Sequence, residues 1–176
     1  MVQTTQAASS LPQRPKQDFV EPAIEVENPT QIIRFEGPYG FLALEHPCKV
    51  VYNDNVYGNA AVLFYALRAT TERSRAKIAR LSTNKARQKS SALPENLDYD
   101  ENRDHYLKVA LRAKFESNPG LKTMLLKTKP KELINTVSYL DDWIGIRESN
   151  GKGSNMLGKA LMELRDEYEG QDLNSY

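Results

Sequence analysis

The sequence predicts a mainly helical domain with a few short strands, an α+β arrangement in one compact unit. Three observations carry that expectation. Apolar residues recur at helical spacing late in the chain, most clearly at Leu157, Leu161, Leu164 and Tyr168. Apolar runs bounded by Gly, Pro or Asn, such as Ile32-Ile33 and Val50-Val51, are too short for helices and have the length of strands. A chain of 176 residues, 40% hydrophobic and 27% charged, is large enough to bury one real core.

In order along the chain, residues 1–29 come first, rich in Gln, Ser, Thr and Pro. They carry too little apolar surface to offset the entropy of ordering, so they are expected to form a flexible arm: a solvated tail, or a segment that folds on a partner in an assembly. The domain is expected over 30–170, with a tail at 171–176. Ile32, Ile33 and Phe35 read as a strand ended by Gly37-Pro38, followed by strands over Phe41–Leu44 and Lys49–Tyr52. Asn53-Asp54-Asn55 reads as the turn before Val56. From Asn59, a capping residue, the period changes to that of a helix through Leu63 and Leu67, interrupted at Thr70, Thr71 and Ser74 and running to about Leu81. Ser82–Leu97 reads as a helix fragment and an exposed loop.

A second helix is expected from about Asp100, with Leu107, Ala110, Leu111 and Phe115 on one stripe, ending at Asn118-Pro119. Leu121 to Leu126 fits a short helix and Leu133–Val137 an extended segment. Leu157 to Tyr168 is the last helix, ended by Gly170.

Composition excludes some classes. The net charge of +1 leaves any charged partner to a local patch. One cysteine, Cys48, forbids an internal disulfide and fits a reducing compartment. No apolar run approaches the roughly 20 residues of a spanning helix. The polar N-terminus is not built as a signal peptide, so an intracellular, cytoplasmic protein with no membrane partner is expected. The two histidines, His46 and His105, and Cys48 do not make up a metal-ligand set, and neither a metal nor a cofactor is expected.

One stretch is distinctive: Gly151-Lys152-Gly153-Ser154-Asn155-Met156-Leu157-Gly158, continuing through Leu161-Met162 to Arg165. It resembles the C-terminal signature of the NADAR-type N-glycosidases. Lys114-Phe115, Asn118-Pro119, Leu121 and Leu125-Leu126 are similar to the run that precedes that signature, Trp143 to the family tryptophan, and Tyr39-Gly40-Phe41-Leu42 to the opening segment. The resemblance spans Phe35 to Glu167. It implies a compact, mostly helical fold with one cleft. Members cleave the N-glycosidic bond of phosphoribosylated or ADP-ribosylated amines, including riboflavin-pathway intermediates and ADP-ribosylated guanosine. The ligand implied here is therefore ADP-ribose or a phosphoribosyl compound, held by Trp143, Gly153, Asn155, Gly158 and Arg68. A Gly-rich turn opening a helix suits that role, because free N–H groups there stabilise a phosphate. The plainer reading has Asn155 capping its own helix.

The chain departs from the family pattern where the chemistry sits. Ala61-Val62 occupy the places of the family's Glu-His on the first helix, Tyr65 that of a Gln and Arg68 that of a Lys. Ala43-Leu44 replace Ser-Asn, Asn135 stands for Glu and Leu140 for Asp, and Trp143-Ile144-Gly145-Ile146 alters a Trp-Gly-x-Gly motif. Cleavage through an oxocarbenium-like state needs a carboxylate, which alanine cannot supply. The first expectation is thus a pseudoenzyme acting as a ligand-binding or structural module. The alternative is an active N-glycosidase whose carboxylate is Asp141, Asp142 or Glu45, each of which also reads as a surface acid. Separately, Arg68 to Lys89 carries eight cations against Glu72, and Arg73, Lys77 and Arg80 share a helical face. That face could meet nucleic acid or another acidic partner, or simply be solvated.

Overall fold

A short parallel pairing joins the start of the domain to its later part: β1 (Gln31–Ile33) lies beside β4 (Glu132–Ile134), with Ile32 opposite Leu133 and both side chains buried. The computed structural model describes residues 29–94, 96–137 and 142–173. Residues 1–28 of the expected arm, and Leu140 and Asp141, lie outside the described residues.

The strand expected over Phe41–Leu44 is a 3₁₀ helix instead, Gly37–Leu42, with Pro38 in its first turn. The reason is packing. Phe41 and Leu42 are adjacent and both buried, whereas neighbours in a strand point to opposite faces. β2 (Val50–Tyr52) and β3 (Asn55–Tyr57) then form an antiparallel hairpin in which Tyr52 pairs with Asn55. Its turn is only Asn53-Asp54, both at positive φ, which these two residue types tolerate.

Helix α1 (Ala60–Leu67) starts where expected, since the Asn59 side chain accepts from the Val62 N–H at 2.9 Å. It does not run on to Leu81. A break at residues 68–71 separates it from α2 (Glu72–Ala79), where the Thr71 hydroxyl accepts from the Ser74 N–H. The threonines that interrupt the apolar pattern thus open a new helix. The segment expected as fragment and loop holds a full helix, α3 (Thr83–Ser91). The helix expected from Asp100 divides into α4 (Leu97–Glu101) and α5 (Arg103–Glu116). After them come α6 (Pro119–Leu126), β5 (Thr136–Val137) paired in parallel with β6 (Ile146–Arg147), and α7 (Met156–Leu173). Gly170 does not end α7, because a lone glycine weakens a helix without breaking it.

Seven residues of α1 are buried, which makes it the central helix, packed by α5, α2 and α3. α5 packs in turn on α7, where Leu157, Leu161, Leu164 and Tyr168 are all buried. Across that seam Lys108 pairs with Glu163 and Arg112 with Glu167. No helix among the described residues is long and apolar enough to cross a membrane.

Candidate functional site

The site begins with the segment that leaves the 3₁₀ helix. The Leu44 carbonyl accepts from the Ala61 N–H at 3.1 Å, which joins this segment to the first residues of α1. From the other side, the Lys114 ammonium donates to the carbonyls of Phe41 and Ala43 at 2.6 and 2.7 Å. Lys114 is fully buried on α5, and burial pulls its pKa down to about 8 against the opposing pull of Cys48 and Glu45. The same segment carries His46, whose pKa is lowered by burial and by Lys114, and leads to Cys48, whose thiol burial pushes up.

Beside this segment lies an open cavity of about 880 Å³. Its apolar wall is Leu44, Phe64, Tyr65 and Ile144. α3 supplies Thr83, Arg87 and Ser91 at intervals of four, a single helical face, together with Asn84. Glu45 and Arg103 complete the described lining. The cavity therefore combines one carboxylate, two guanidinium groups and an aromatic surface. A smaller cavity of about 290 Å³ shares Leu44, Glu45 and Ile144 with it and adds Asn135, Thr136 and Glu148, among others.

Trp143 lines neither cavity but touches two residues that line the larger one. Its ring is nearly parallel to that of Phe64 (9°, centroids 6.2 Å apart), and the Arg103 guanidinium lies 4.0 Å from its centroid. Tyr99 supports Phe64 from behind: its hydroxyl donates to the Phe64 carbonyl, and its pKa is raised by burial.

The other residues singled out from the sequence fall elsewhere. Asn155 is buried, but it neither caps its own helix nor borders either cavity. Its side chain accepts from the Asn135 N–H and donates to the Leu133 carbonyl, tying α7 to the β4–β5 segment. Gly158 is needed for close approach, because a Cβ there would lie 2.1 Å from the Leu133 oxygen. Gly153 is similar, at 2.1 Å from the Gly145 oxygen. The glycines of the turn thus let two chain segments meet.

Arg68 caps the end of α1, donating to the Ser90 carbonyl and facing Asp100. Asp142 is held by both arms of Arg147, at 3.0 and 2.5 Å, and lines neither cavity. Ala61 and Val62 are buried and line neither cavity, while Glu45 lines both. Glu45 and His46 follow the 3₁₀ helix and are not on a strand. Arg73, Lys77, Arg80, Lys85, Arg87 and Lys89 are all exposed, and none has an acidic partner among the described residues. No group of three or more His, Cys, Asp or Glu among the described residues could hold a metal ion.

Sequence reasoning passed over Arg103 and the role of Lys114. Arg103 has no signal beyond the first turn of a helix. Lys114 had one: it stands at i+7 from Leu107 and i+3 from Leu111, a lysine on an apolar stripe.

Comparison with known proteins agrees with this architecture. A model of the NADAR domain matches residues 31–169. The N-glycosidase YbiA of Shigella flexneri is 32% identical over 126 residues, 69% of this chain and 75% of that protein. The chloroplastic riboflavin biosynthesis protein PYRR of Arabidopsis thaliana is 36% identical over 101 residues, 57% of this chain but 16% of that protein. The NMR structure of Escherichia coli YbiA superposes with a TM-score of 0.73 at 27% identity, covering 82% of this chain and 88% of that one. With the matched region taking in nearly every described element from β1 to α7, the chain belongs to the NADAR domain family.

Proposed function

We propose that this chain binds an N-ribosyl compound, ADP-ribosylated or phosphoribosylated, in the larger cavity, and that α1 no longer supplies chemistry to it. The observation that carries the reading is the pairing of Arg87 and Arg103 with the Phe64 and Tyr65 surface in a cavity of about 880 Å³. Two guanidinium groups suit a phosphate or pyrophosphate, and an aromatic wall suits a flat base. The N-glycosidase names of the relatives support the ligand class. Burial of Ala61 and Val62 supports the loss of helix-borne chemistry. The exposed cations of α2 and α3 extend this reading to a polyanionic partner beside the cavity.

Calorimetry with ADP-ribose and with ribose 5-phosphate tests it. Arg87→Ala and Arg103→Ala should each weaken binding about tenfold or more, the scale of a charge-assisted hydrogen bond. Absence of binding to either probe would overturn it.

A second reading, hydrolysis of the N-glycosidic bond, is favoured by one observation: Glu45 is on the wall of the same cavity.

A further inference from the structure

We infer that Glu45 is a relocated catalytic carboxylate, performing from the segment after the 3₁₀ helix the role that Ala61 cannot perform from α1. The inference rests on the hydrolytic reading of the larger cavity. Its basis is adjacency. The Ala61 N–H bonds to the Leu44 carbonyl, so Glu45 follows directly on the residue tied to the silent helix position. One backbone hydrogen bond therefore separates residue 61, which is buried and lines neither cavity, from a carboxylate that lines both.

Three further observations bear on the assignment. Glu45 is the one carboxylate among the described residues that line the larger cavity, and it also borders the smaller one. Among the described acids, Asp142 is paired with Arg147 and Glu148 with Arg34 at 2.6 Å, while Glu36 borders the smaller cavity only. The backbone on either side of it is anchored, because Lys114 pins the carbonyls of Phe41 and Ala43 and the His46 N–H donates to the Ala43 carbonyl. A catalytic group needs that support, since a loosely held carboxylate loses its orientation toward the reacting carbon. Lys114 is accordingly a positioning residue.

The step balances with water alone. The bond between the anomeric carbon and nitrogen breaks, and its electron pair leaves with the nitrogen. The Glu45 carboxylate stabilises the positive charge on the sugar and takes a proton from the attacking water as the new C–O bond forms. That proton then passes to the departing nitrogen. The products are a free amine and a reducing ribosyl sugar, with no oxidant, reductant or metal required.

The test uses the full chain with two probes, ADP-ribosylated guanosine and a 5-phosphoribosyl aminopyrimidine, following product release by chromatography and binding of ADP-ribose by calorimetry. Wild type should turn over at least one probe. Glu45→Gln should lower kcat by about 100-fold or more while ADP-ribose affinity changes less than about threefold. Glu45→Asp should keep part of the rate. Equal rates for wild type and Glu45→Gln would overturn the assignment of Glu45 and leave hydrolysis standing. Wild type that binds ADP-ribose but turns over neither probe would overturn the hydrolytic reading and this inference with it. Thermal melting of each variant separates loss of fold from loss of chemistry.

Discussion

The Lys114 ammonium lies 2.7 Å from the carbonyl oxygen of Ala43, two residues before Glu45 on the wall of the larger cavity. A buried cation thus holds the backbone of the segment that leads to an exposed carboxylate. The cost is visible in its lowered pKa of about 8. The folded protein releases this proton near pH 8, whereas the unfolded chain holds it to its ordinary value of 10.5. Between those values the unfolded state carries more protons, so stability rises with pH, and the gain is lost as pH falls through the folded value. The full effect is on the order of 3 kcal/mol. Lys114→Met removes the charge and keeps the stem. The stability difference between wild type and Lys114→Met, measured by denaturant titration, should move in favour of wild type by about 1–2 kcal/mol from about pH 7.5 to about pH 9.5. A flat difference would show that the ammonium is not the titrating group. His46 and Cys48 face Lys114 and belong in the same titration, and the charge of Glu45 acts on Lys114 as well.

Leu161 is fully buried between α7 and the rest of the core. Leu161→Ala should cost about 2–5 kcal/mol in denaturant unfolding, the range for cavity-forming changes. A loss below about 0.5 kcal/mol would show that the site behaves as surface.

Gly158→Ala tests whether the glycine turn serves packing. The added methyl would meet the Leu133 oxygen and the Asn155 side chain, at 2.1 and 2.6 Å, and backbone must move to admit it. A loss of about 1–3 kcal/mol is expected, with a lowered melting temperature and no selective loss of ADP-ribose affinity in the protein that remains folded. Selective loss of affinity with unchanged melting would instead make the turn part of the binding site.

The basic face is tested with a single-stranded oligonucleotide as the polyanion. Reversing Arg73, Lys77 and Arg80 to Glu should weaken binding and flatten its dependence on salt, because fewer counterions are released. Identical binding at low salt would leave these residues as a solvated face.

The sequence by itself determined the elements whose causes are local. Asn59 capped α1 because its side chain reaches the Val62 N–H three residues on, and Asn53-Asp54 turned the hairpin because both tolerate positive φ. The stripe of α7 followed from spacing alone. The NADAR signature was equally legible, since its residues are contiguous. Tertiary structure decided what depends on partners distant in sequence. Asn155 looked like a helix cap until Leu133 and Asn135, about twenty residues away, took its hydrogen bonds. Phe41 and Leu42 looked like a strand until both had to be buried at once. Above all, Glu45 was one surface acid among several until the fold put it on the cavity wall, next to the residue whose carbonyl accepts from the Ala61 N–H. Lys114, 69 residues further along the chain, holds that segment through two backbone carbonyls. Main-chain groups are the same in every residue, so no sequence pattern marks which carbonyls a buried lysine will bind.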